Sequence, residues 1–369
     1  MSLRVIISGG GTGGHIYPGI AIAEALKVLQ PNVKVLFVGA EGKMEMEKVP
    51  KAGYVIEGLP IRGIQRGQLV ANLALPFRVL QSLFKAYRLL KRVSPHVVVG
   101  TGGYASWAML RVATWAGIPT LIQEQNGYAG LTNKSLAKSV TKICVAYPKM
   151  ERFFPKEKLV FTGNPVRSDL HNLGSIRLAA YDFFGFKQGK PTLVVLGGSG
   201  GARSLNQALA EALPSLLNRD LQIIWQTGKV YFEQCEKDFG HLAGKGLYMK
   251  PFIYEMNYVY SCADVVVARA GALSISELAL AGKPAILVPS PNVTDDHQTK
   301  NAIALSSHQA AILLQDKDLK IQFLSAVEAL LRDQEKQLTL SQNIATFAKP
   351  TAASDIAAQV MQLAKNYGQ

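Results

Sequence analysis

The sequence predicts an α/β protein built from two tandem Rossmann-like domains, each with a doubly wound parallel sheet. Four times an apolar run leads into a glycine-rich loop and a helix start, in RVIISGGGTGGH (4–15), HVVVGTGGYAS (96–106), TLVVLGGSGGARS (192–204) and DVVVARAGALSISE (264–277). Short strands that are apolar throughout and alternate with helical segments are typical of a parallel sheet covered on both faces. A chain of 369 residues is long for one core, so two domains are expected.

The segments between these loops continue the alternation. Pro18 suits the first turn of a helix that extends to Leu29, and Gln30-Pro31 marks its end. Further apolar runs predict strands at residues 33–38, 118–122, 223–225 and 284–288. The joint between the domains is expected within FTGNPVRSD (161–169), and the second half restarts with its own strand after Pro191.

Composition favours a well-buried globular chain, since 48% of the residues are hydrophobic and 18% are charged. The start MSLRVIIS leaves no space for the apolar segment of a signal peptide, so export is not expected. The longest uncharged stretch, residues 93–110, includes serine, proline, histidine and glycine, so no transmembrane helix is predicted. Cys144, Cys235 and Cys262 are widely spaced, which fits buried thiols in a reducing compartment rather than a disulfide framework or a zinc site.

Basic residues outnumber acidic ones by 40 to 26, and the net charge of +14 indicates an anionic partner. Residues 58–123 contain no acidic side chain. In the basic segment 62–92, charges interleave with large apolar residues between Leu69 and Leu90, as in a basic amphipathic helix on an anionic membrane surface. A core helix with a solvated basic face is the alternative. A nucleic-acid partner is not expected, because it would leave the glycine loops without a purpose.

The glycine loops predict phosphate binding. Loops at the carboxyl ends of parallel strands line a crevice where ligands bind, and two facing sheets would line one central cleft. Glycine lets a phosphate approach the backbone N–H groups at a helix N-terminus. Gly9, Gly11 and Gly14 also satisfy the dinucleotide pattern G-x-G-x-x-G, but Lys34 lies near the position of the ribose-binding acid and Glu41 comes late. A nicotinamide or flavin oxidoreductase is therefore the alternative of a different class.

Seven blocks in order resemble the MurG family of bacterial N-acetylglucosaminyltransferases. They are GGTGGHIYPGIAIA (10–23), GTGGYAS (100–106), EQNGYAGLTNK (124–134), GNPVR (163–167), GGSGGARSLN (197–206), ADVVVARAGALSISELALAGKPAILVP (263–289) and DHQTKNA (296–302). The resemblance implies the GT-B glycosyltransferase fold, with an acceptor- and membrane-binding domain at 1–164 and a donor domain at 165–349. It also implies that a C-terminal helix at about 350–369 returns to the first domain, for which Ile356, Val360 and Leu363 supply an apolar stripe.

The activity implied by the resemblance is inverting transfer of N-acetylglucosamine (GlcNAc) from UDP-GlcNAc. The acceptor is the 4-hydroxyl of N-acetylmuramic acid (MurNAc) in undecaprenyl-pyrophosphoryl-MurNAc-pentapeptide, at the cytoplasmic face of the bacterial plasma membrane. Neither a cofactor nor a metal is expected, and Asp316-Lys317-Asp318 is interpreted as a solvated turn. A related enzyme with another sugar or lipid, or a nucleotide-sugar epimerase on the same fold, is the next alternative.

The resemblance assigns donor-site roles residue by residue. Glu277 would accept the ribose hydroxyls, although an acid favoured by the helix dipole is the structural alternative. The backbone of Ile253 would read uracil, and Ser199 and Arg167 would contact the phosphates. The other donor-site residues are Thr12, Gly13, Gly14, Asn126, Ala272, Leu273, Ser274 and Gln298.

For the acceptor, Gly13 and Gly14 in the first loop and Gly102, Gly103 and Tyr104 in the second would hold the lipid pyrophosphate. His15 is the candidate general base, because imidazole titrates near neutrality, and Glu124 is the rival base or orienting acid. Three residues depart from the family pattern, namely Trp107, Gly200 and His297.

Overall fold

The computed structural model describes residues 2–63, 75–170, 172–291 and 296–367. The chain divides into two compact units. The first unit comprises Met1–Arg167 and Lys349–Gln369, and the second comprises Ser168–Ala348. The division therefore falls after Arg167 rather than after residue 164.

The first unit contains a seven-stranded parallel sheet. Its strands are β1 (Arg4–Gly9), β2 (Lys34–Ala40), β3 (Ile56–Leu59), β4 (Val97–Gly102), β5 (Thr120–Glu124), β6 (Lys142–Val145) and β7 (Leu159–Phe161). Its helices are α1 (Gly13–Leu29), α2 (Glu45–Lys51), α3 (Leu75–Val93), α4 (Tyr104–Trp115), α5 (Leu131–Leu136) and the C-terminal α14 (Ala352–Tyr367). The strand order β3-β2-β1-β4-β5-β6-β7 reverses direction between β1 and β4, which makes the sheet doubly wound.

The second unit repeats this design with a six-stranded parallel sheet. Its strands are β8 (Thr192–Leu196), β9 (Gln222–Gln226), β10 (Leu247–Lys250), β11 (Val265–Arg269), β12 (Ala285–Val288) and β13 (Ile312–Leu313). Its helices are α6 (Arg177–Phe184), α7 (Arg203–Leu217), α8 (Lys229–Phe239), α9 (Met256–Cys262), α10 (Ala272–Ala281), α11 (His297–Ser306), α12 (Leu319–Arg332) and α13 (Gln334–Ala345). The order β10-β9-β8-β11-β12-β13 reverses between β8 and β11. Two doubly wound sheets confirm the predicted fold class.

The central strands are buried on both faces, as their apolar sequences predict. In β1, Ile7 pairs with Phe37 of β2 and with Val99 of β4, and all three side chains are buried. In the second unit, Val195 of β8 pairs with the buried Trp225 of β9. This packing fixes the carboxyl ends of the strands, from which the glycine loops emerge.

Helix α1 begins at Gly13, five residues before the predicted start at Pro18. The carbonyl of Thr12 accepts from the N–H groups of His15 and Ile16, at 3.1 and 3.2 Å, so the helix starts inside the glycine loop. Pro18 lies within the helix and forgoes the bond that its N–H would make to Gly14. The earlier start places the helix N-terminus at the loop itself.

Helix α14 packs on the first unit. Ile356, Val360 and Leu363 are buried in one apolar cluster with Ile22 and Leu26 of α1. The final helix therefore belongs to the core of the first unit although the chain reaches it only after the second.

Three buried cysteines, Cys144, Cys235 and Cys262, carry free thiols. Burial raises the pKa of Cys144 and of Cys262 to about 12, so these thiols stay protonated at neutral pH. Across the described ranges, no helix combines the length and the apolar character needed to cross a bilayer.

Candidate active site

Each sheet places two glycine-rich loops at the point where its strand order reverses. The first glycine loop (residues 9–14) follows β1, and the second (residues 102–104) ends β4. The third (residues 197–202) follows β8, and the fourth (residues 270–272) follows β11. Because ligands of doubly wound sheets bind at this reversal, each unit carries a candidate ligand site there.

The first and second glycine loops pack against each other. The N–H of Gly10 donates to the carbonyl of Gly102 at 3.2 Å. A Cβ on Gly103 would lie 2.6 Å from the Gly10 oxygen, and one on Gly102 would lie 2.8 Å from the His15 ring. Both residues also have positive φ, 112° at Gly102 and 89° at Gly103. The packing of the two loops therefore requires glycine at both positions, whether or not a ligand binds there.

His15 lies at the centre of this packed pair of loops, on the first turn of α1. Its Nδ1 lies 2.9 Å from the carbonyl oxygen of Gly10. Thr101 donates its hydroxyl to the carbonyl of His15 at 2.7 Å, which ties the helix start to β4. A carbonyl oxygen only accepts, so this bond requires the proton on Nδ1 and leaves Nε2 as the accepting nitrogen.

The N-terminus of α1 is suited to an anion. Thr12 and Gly14 are exposed, and Gly13 is half-buried. The first N–H groups of a helix have no partner within the helix, and the dipole favours negative charge there. Tyr104, which begins α4 beside Gly103, is 54% exposed. The structure thus brings together the residues assigned to the acceptor pyrophosphate and the candidate base.

Glu124 ends β5 and is buried, with 2% of its surface exposed. Its carboxylate accepts from the backbone N–H groups of Asn126 and Gly130, at 3.1 and 3.0 Å, and from the Asn133 amide at 2.8 Å. The Asn126 side-chain amide lies 3.4 Å from the same carboxylate. These contacts favour an orienting role for Glu124, because its oxygens already hold the loop that carries Asn126.

Arg167 is the last residue of the first unit before the chain enters the second. Its guanidinium lies over the ring of Tyr17 on α1, 5.5 Å from the ring centroid. Stacking of this kind orients the planar guanidinium. Trp107 packs half-buried against the core of the first unit, and Arg111 lies over its ring at 5.9 Å.

Gln226, at the end of β9, organises the third glycine loop, a role that was not predicted from the sequence. Its amide nitrogen donates to the carbonyl of Gly198 at 3.1 Å, and its amide oxygen accepts from the N–H of Ile253 at 3.0 Å. The N–H of Ile253 is therefore engaged, and its carbonyl is the group that a base edge could use. Ser199 is half-buried beside Gly198, and Gly200 is exposed with open space around it.

The fourth glycine loop leads directly into α10. Ala272, Leu273 and Ser274 are the first three residues of this helix, so their N–H groups face its N-terminal end. Glu277 lies one turn further on, is 9% exposed, and accepts from the hydroxyl of Tyr260 at 3.1 Å. The Tyr260 contact fixes one carboxylate oxygen in place.

Gln298 lies on the first turn of α11, next to His297. Its amide oxygen accepts from the N–H of Ser290 at 2.9 Å, which fixes the end of the segment that follows β12. The amide nitrogen of Gln298 is the group that this contact leaves to donate to a ligand.

Asp316 corrects the interpretation of DKD as a solvated turn. Its carboxylate pairs with the guanidinium of Arg269, the last residue of β11, and accepts from the hydroxyl of Ser204 at 2.6 Å. Arg269 also donates to Ser204 at 2.9 Å and to the carbonyl of Pro289 at 3.1 Å. This network ties the end of β11 to the segments that follow β8, β12 and β13. The sequence signal that could have indicated this network is the arginine at the end of the apolar strand β11.

No group of three or more His, Cys, Asp or Glu side chains that could hold a metal ion occurs among the residues described.

Comparison with known proteins agrees with this architecture. Residues 5–145 match the N-terminal domain of glycosyltransferase family 28, and residues 192–360 match its C-terminal domain. A protein of Cytophaga hutchinsonii named UDP-N-acetylglucosamine--N-acetylmuramyl-(pentapeptide) pyrophosphoryl-undecaprenol N-acetylglucosamine transferase is 52% identical, over 98% of this chain and 96% of the relative. A protein of the same name from Flavobacterium psychrophilum is 51% identical, over 98% of both chains.

Solved structures extend the comparison to the fold. The crystal structure of MurG from Acinetobacter baumannii aligns with a TM-score of 0.71 at 29% identity, over 98% of this chain and 100% of that chain. A UDP-GlcNAc 2-epimerase from Neisseria meningitidis aligns with a TM-score of 0.68 at 12% identity, over 98% and 100% of the two chains, and shares the fold alone. The fold is thus of the GT-B class, and the chain belongs to glycosyltransferase family 28.

Proposed function

We propose that this protein transfers GlcNAc from UDP-GlcNAc to the 4-hydroxyl of MurNAc in undecaprenyl-pyrophosphoryl-MurNAc-pentapeptide. The observation that carries the proposal is the identity of about half of all residues, across nearly the whole chain, with relatives named for this transfer. Each unit has a helix that starts at a glycine loop, α1 in the first and α10 in the second, which suits two substrates that each carry a diphosphate.

In the second unit, UDP-GlcNAc would bind along the third and fourth glycine loops. The N–H groups of Ala272, Leu273 and Ser274 would hold the diphosphate together with Ser199. Glu277 would accept from the ribose hydroxyls through its carboxylate, which Tyr260 orients.

The uracil and the sugar of the donor would bind to protein groups that the contacts of Gln226 and Ser290 leave available. The carbonyl of Ile253 would accept from uracil, because its N–H already donates to Gln226. Gln298 would donate to a sugar hydroxyl through its amide nitrogen, and Asn126 is proposed as a second sugar contact.

In the first unit, the lipid pyrophosphate would bind at Gly13, Gly14 and the second glycine loop, close to His15. His15 would act as the general base, since its Nε2 is the accepting nitrogen. The acceptor hydroxyl would give its proton to Nε2 while its oxygen bonds to the anomeric carbon. The bond from that carbon to UDP breaks and its electron pair leaves with UDP.

Charge on the departing diphosphate would be met by helix N-termini and by Arg167, whose guanidinium Tyr17 orients. Glu124 would keep the loop of Asn126 in place during this step. The proposal requires neither a cofactor nor a metal.

We further propose that α3 adsorbs to the anionic cytoplasmic face of the plasma membrane. Phe77, Leu80, Phe84 and Tyr87 recur at helical spacing and are 71, 65, 64 and 46% exposed. The opposite side of α3 buries Ala86, Leu89 and Leu90 in the core, as the core-helix alternative expects, and the exposed side is the one proposed to contact the membrane. The rest of the acid-free basic segment, residues 64–74, lies outside the described residues.

Basic side chains flank the exposed face of α3. Lys85 pairs with Glu41 at 2.9 Å and Arg92 pairs with Glu57, whereas the ammonium of Lys91 lies over the Tyr87 ring at 5.6 Å. An exposed aromatic face with a basic rim is typical of helices that lie at the surface of an anionic bilayer.

The decisive experiment incubates the protein with UDP-GlcNAc labelled in the sugar and a lipid-linked muramyl-pentapeptide acceptor. We expect label in the lipid fraction and release of UDP. Release of label from another nucleotide sugar but not from UDP-GlcNAc would refute the donor assignment. Conversion of UDP-GlcNAc to its 2-epimer without transfer would favour epimerase chemistry instead.

A further inference from the structure

A carboxylate beneath the first glycine loop has no part in the site as described so far. Glu45, the first residue of α2, is buried with 0% of its surface exposed. One of its oxygens accepts from the N–H of Ala40 at 2.9 Å, and the other accepts from the N–H of Gly11 at 2.9 Å. Within the described ranges, these backbone amides are its hydrogen-bond partners and no cation pairs with it. Burying a carboxylate costs free energy, so we expect the Glu45 side chain to have a specific role.

The Gly11 N–H that Glu45 holds belongs to the same peptide group as the Gly10 carbonyl. That carbonyl oxygen lies 2.9 Å from Nδ1 of His15. The carboxylate, the peptide and the imidazole therefore form one hydrogen-bonded row. A negative charge at the N–H end of a peptide makes its carbonyl a stronger acceptor, because hydrogen bonds in a chain polarise one another.

The surrounding backbone is built to admit this row. A Cβ on Gly10 would lie 2.1 Å from a carboxylate oxygen of Glu45, and one on Gly39 would lie 2.4 Å from its Cγ. On the far side, the N–H of Gly10 donates to Gly102 at 3.2 Å. Glycine at residues 10 and 39 thus provides the space for the buried carboxylate. The Gly10–Gly11 peptide is held at its N–H by Glu45 and at its carbonyl by His15, and the adjoining Gly9–Gly10 peptide is tied to Gly102.

We propose that Glu45 is a positioning residue for His15 and acts through the Gly10–Gly11 peptide. It holds that peptide with its carbonyl towards Nδ1, which keeps the His15 proton on Nδ1 and the lone pair on Nε2. When Nε2 takes the proton of the acceptor hydroxyl, the polarised carbonyl stabilises the imidazolium. This inference rests on the proposed function of His15 as the general base.

The first test reads the protonation of His15 directly, in the full-length protein without substrate. Two-dimensional NMR of protein labelled with ¹⁵N-histidine distinguishes a proton on Nδ1 from one on Nε2, and His15→Gln assigns the signal. We expect the Nδ1–H form in the wild-type protein and a mixture of the two forms in Glu45→Gln. Glu47→Gln is the matched control, because Glu47 lies on the same helix, is partly exposed and pairs with Lys51. A wild-type His15 with its proton on Nε2, or a Glu45→Gln signal like that of the wild type, would overturn the inference.

The second test separates positioning from a merely structural role. Glu45→Gln is expected to lower kcat at least about tenfold, because a general base contributes about 10²–10⁴-fold. The KM for UDP-GlcNAc should stay within about twofold, because Ala272, Leu273, Ser274 and Glu277, which are proposed to hold the diphosphate and the ribose, lie in the other unit. Glu47→Gln should leave both constants unchanged. In a His15→Gln background, Glu45→Gln should lower kcat little further. If the two substitutions instead lowered kcat by independent factors that multiply, Glu45 would not act through His15.

Two outcomes must be kept apart. If the wild-type protein transfers no GlcNAc at all, the proposed function fails, and the NMR signal still decides whether Glu45 selects the His15 tautomer. If Glu45→Gln does not fold by circular dichroism, Glu45→Asp replaces it. The shorter Asp keeps the charge but cannot reach both amides, so it should also lower kcat and mix the tautomers. Wild-type behaviour of a folded Glu45→Asp would overturn the inference.

Discussion

Substitution of Gly103 by alanine tests whether the packing of the two glycine loops of the first unit controls the reaction. Gly103 has φ 89° and ψ 170°, a backbone region that is nearly restricted to glycine. An added Cβ would lie 2.6 Å from the carbonyl oxygen of Gly10, the same oxygen that faces His15. The variant therefore strains the backbone and displaces the acceptor of the His15 hydrogen bond.

The size of the effect follows from these distances. Contacts of a real Cβ below 3.0 Å essentially never occur, so the Gly10 oxygen and the backbone of residue 103 must move apart by at least 0.4 Å, the difference from 2.6 Å. Backbone strain costs about 1–3 kcal/mol and overpacking about 1–3 kcal/mol, which gives a loss of stability of about 2–6 kcal/mol. Because a misplacement of about 1 Å can cost about 10²-fold in rate, a shift of this size should lower kcat about tenfold.

Gly42→Ala is the matched control, because Gly42 also has positive φ, 71°, but an added Cβ would meet open space. It should cost only the strain of about 1–2 kcal/mol and leave kcat unchanged. Stability is measured by urea unfolding, and kcat by transfer of labelled GlcNAc to the lipid acceptor. If Gly103→Ala matched Gly42→Ala in both stability and kcat, the proposed coupling between loop packing and His15 would be refuted.

Four further predictions concern the donor site, the membrane contact, the burial of Lys283 and the role of metal ions. Glu277→Ala should raise the KM for UDP-GlcNAc about tenfold or more, because it removes a charged hydrogen bond to the ribose. Tyr260→Phe keeps the carboxylate and should raise this KM less. An unchanged KM in Glu277→Ala would favour a structural role for Glu277. Replacement of both Phe77 and Phe84 by serine should reduce co-sedimentation with anionic vesicles but not transfer to a short-chain soluble acceptor, and equal vesicle binding by the wild type and the variant would exclude α3 as the membrane contact. Burial lowers the pKa of Lys283 from 10.5 to about 8, so the charged form is penalised in the folded protein at pH 7. That penalty fades as the pH rises from about 8 towards 10.5, because the folded state then loses the proton that the unfolded state keeps. In urea unfolding, the stability of Lys283→Met relative to the wild type should therefore fall over this pH range. A stability difference that does not change with pH would contradict the lowered pKa of Lys283. Transfer should survive excess EDTA, since arginine and helix N-termini meet the charge of the leaving group, and a loss of activity that magnesium restores would argue for a metal.

The elements that could be predicted from the sequence are those that a single local pattern identifies, such as an apolar run followed by glycines. The strands that end in glycine loops are apolar throughout and central, so their burial leaves a continuous pattern. Edge strands such as β3 (Ile56–Leu59), β7 (Leu159–Phe161) and β13 (Ile312–Leu313) are short and only partly buried, so no pattern marked them. The start of α1 was predicted too late, because proline favours the first turn and the hydrogen bonds to Thr12 that begin the helix leave no mark in the sequence.

The positioning residues escaped the sequence argument for a different reason. Gln226, Asp316 and Glu45 contact residues 27, 47 and 34 positions away, so only the folded sheet brings the partners together. A polar residue at a strand end or helix start also has a routine local explanation as a solvated group or a favourable helix charge. Nothing in the spacing of Glu45 distinguishes it from Glu47, which is partly exposed.

Glycine in these loops has two physical causes that the sequence does not separate. A Cβ added to Gly10 or to Gly103 would lie 2.1 or 2.6 Å from protein atoms, so the fold itself excludes a side chain there. Gly11 and Gly198 have positive φ, 85° and 82°, but an added Cβ would meet nothing within 4 Å. At these open positions the fold requires only the backbone conformation, and the free space over the loop is what a phosphate would occupy. The bare backbone therefore makes room for the buried carboxylate and the imidazole, and it also leaves open space that we propose a ligand fills. A glycine count alone could for this reason not separate a transferase from a dinucleotide enzyme.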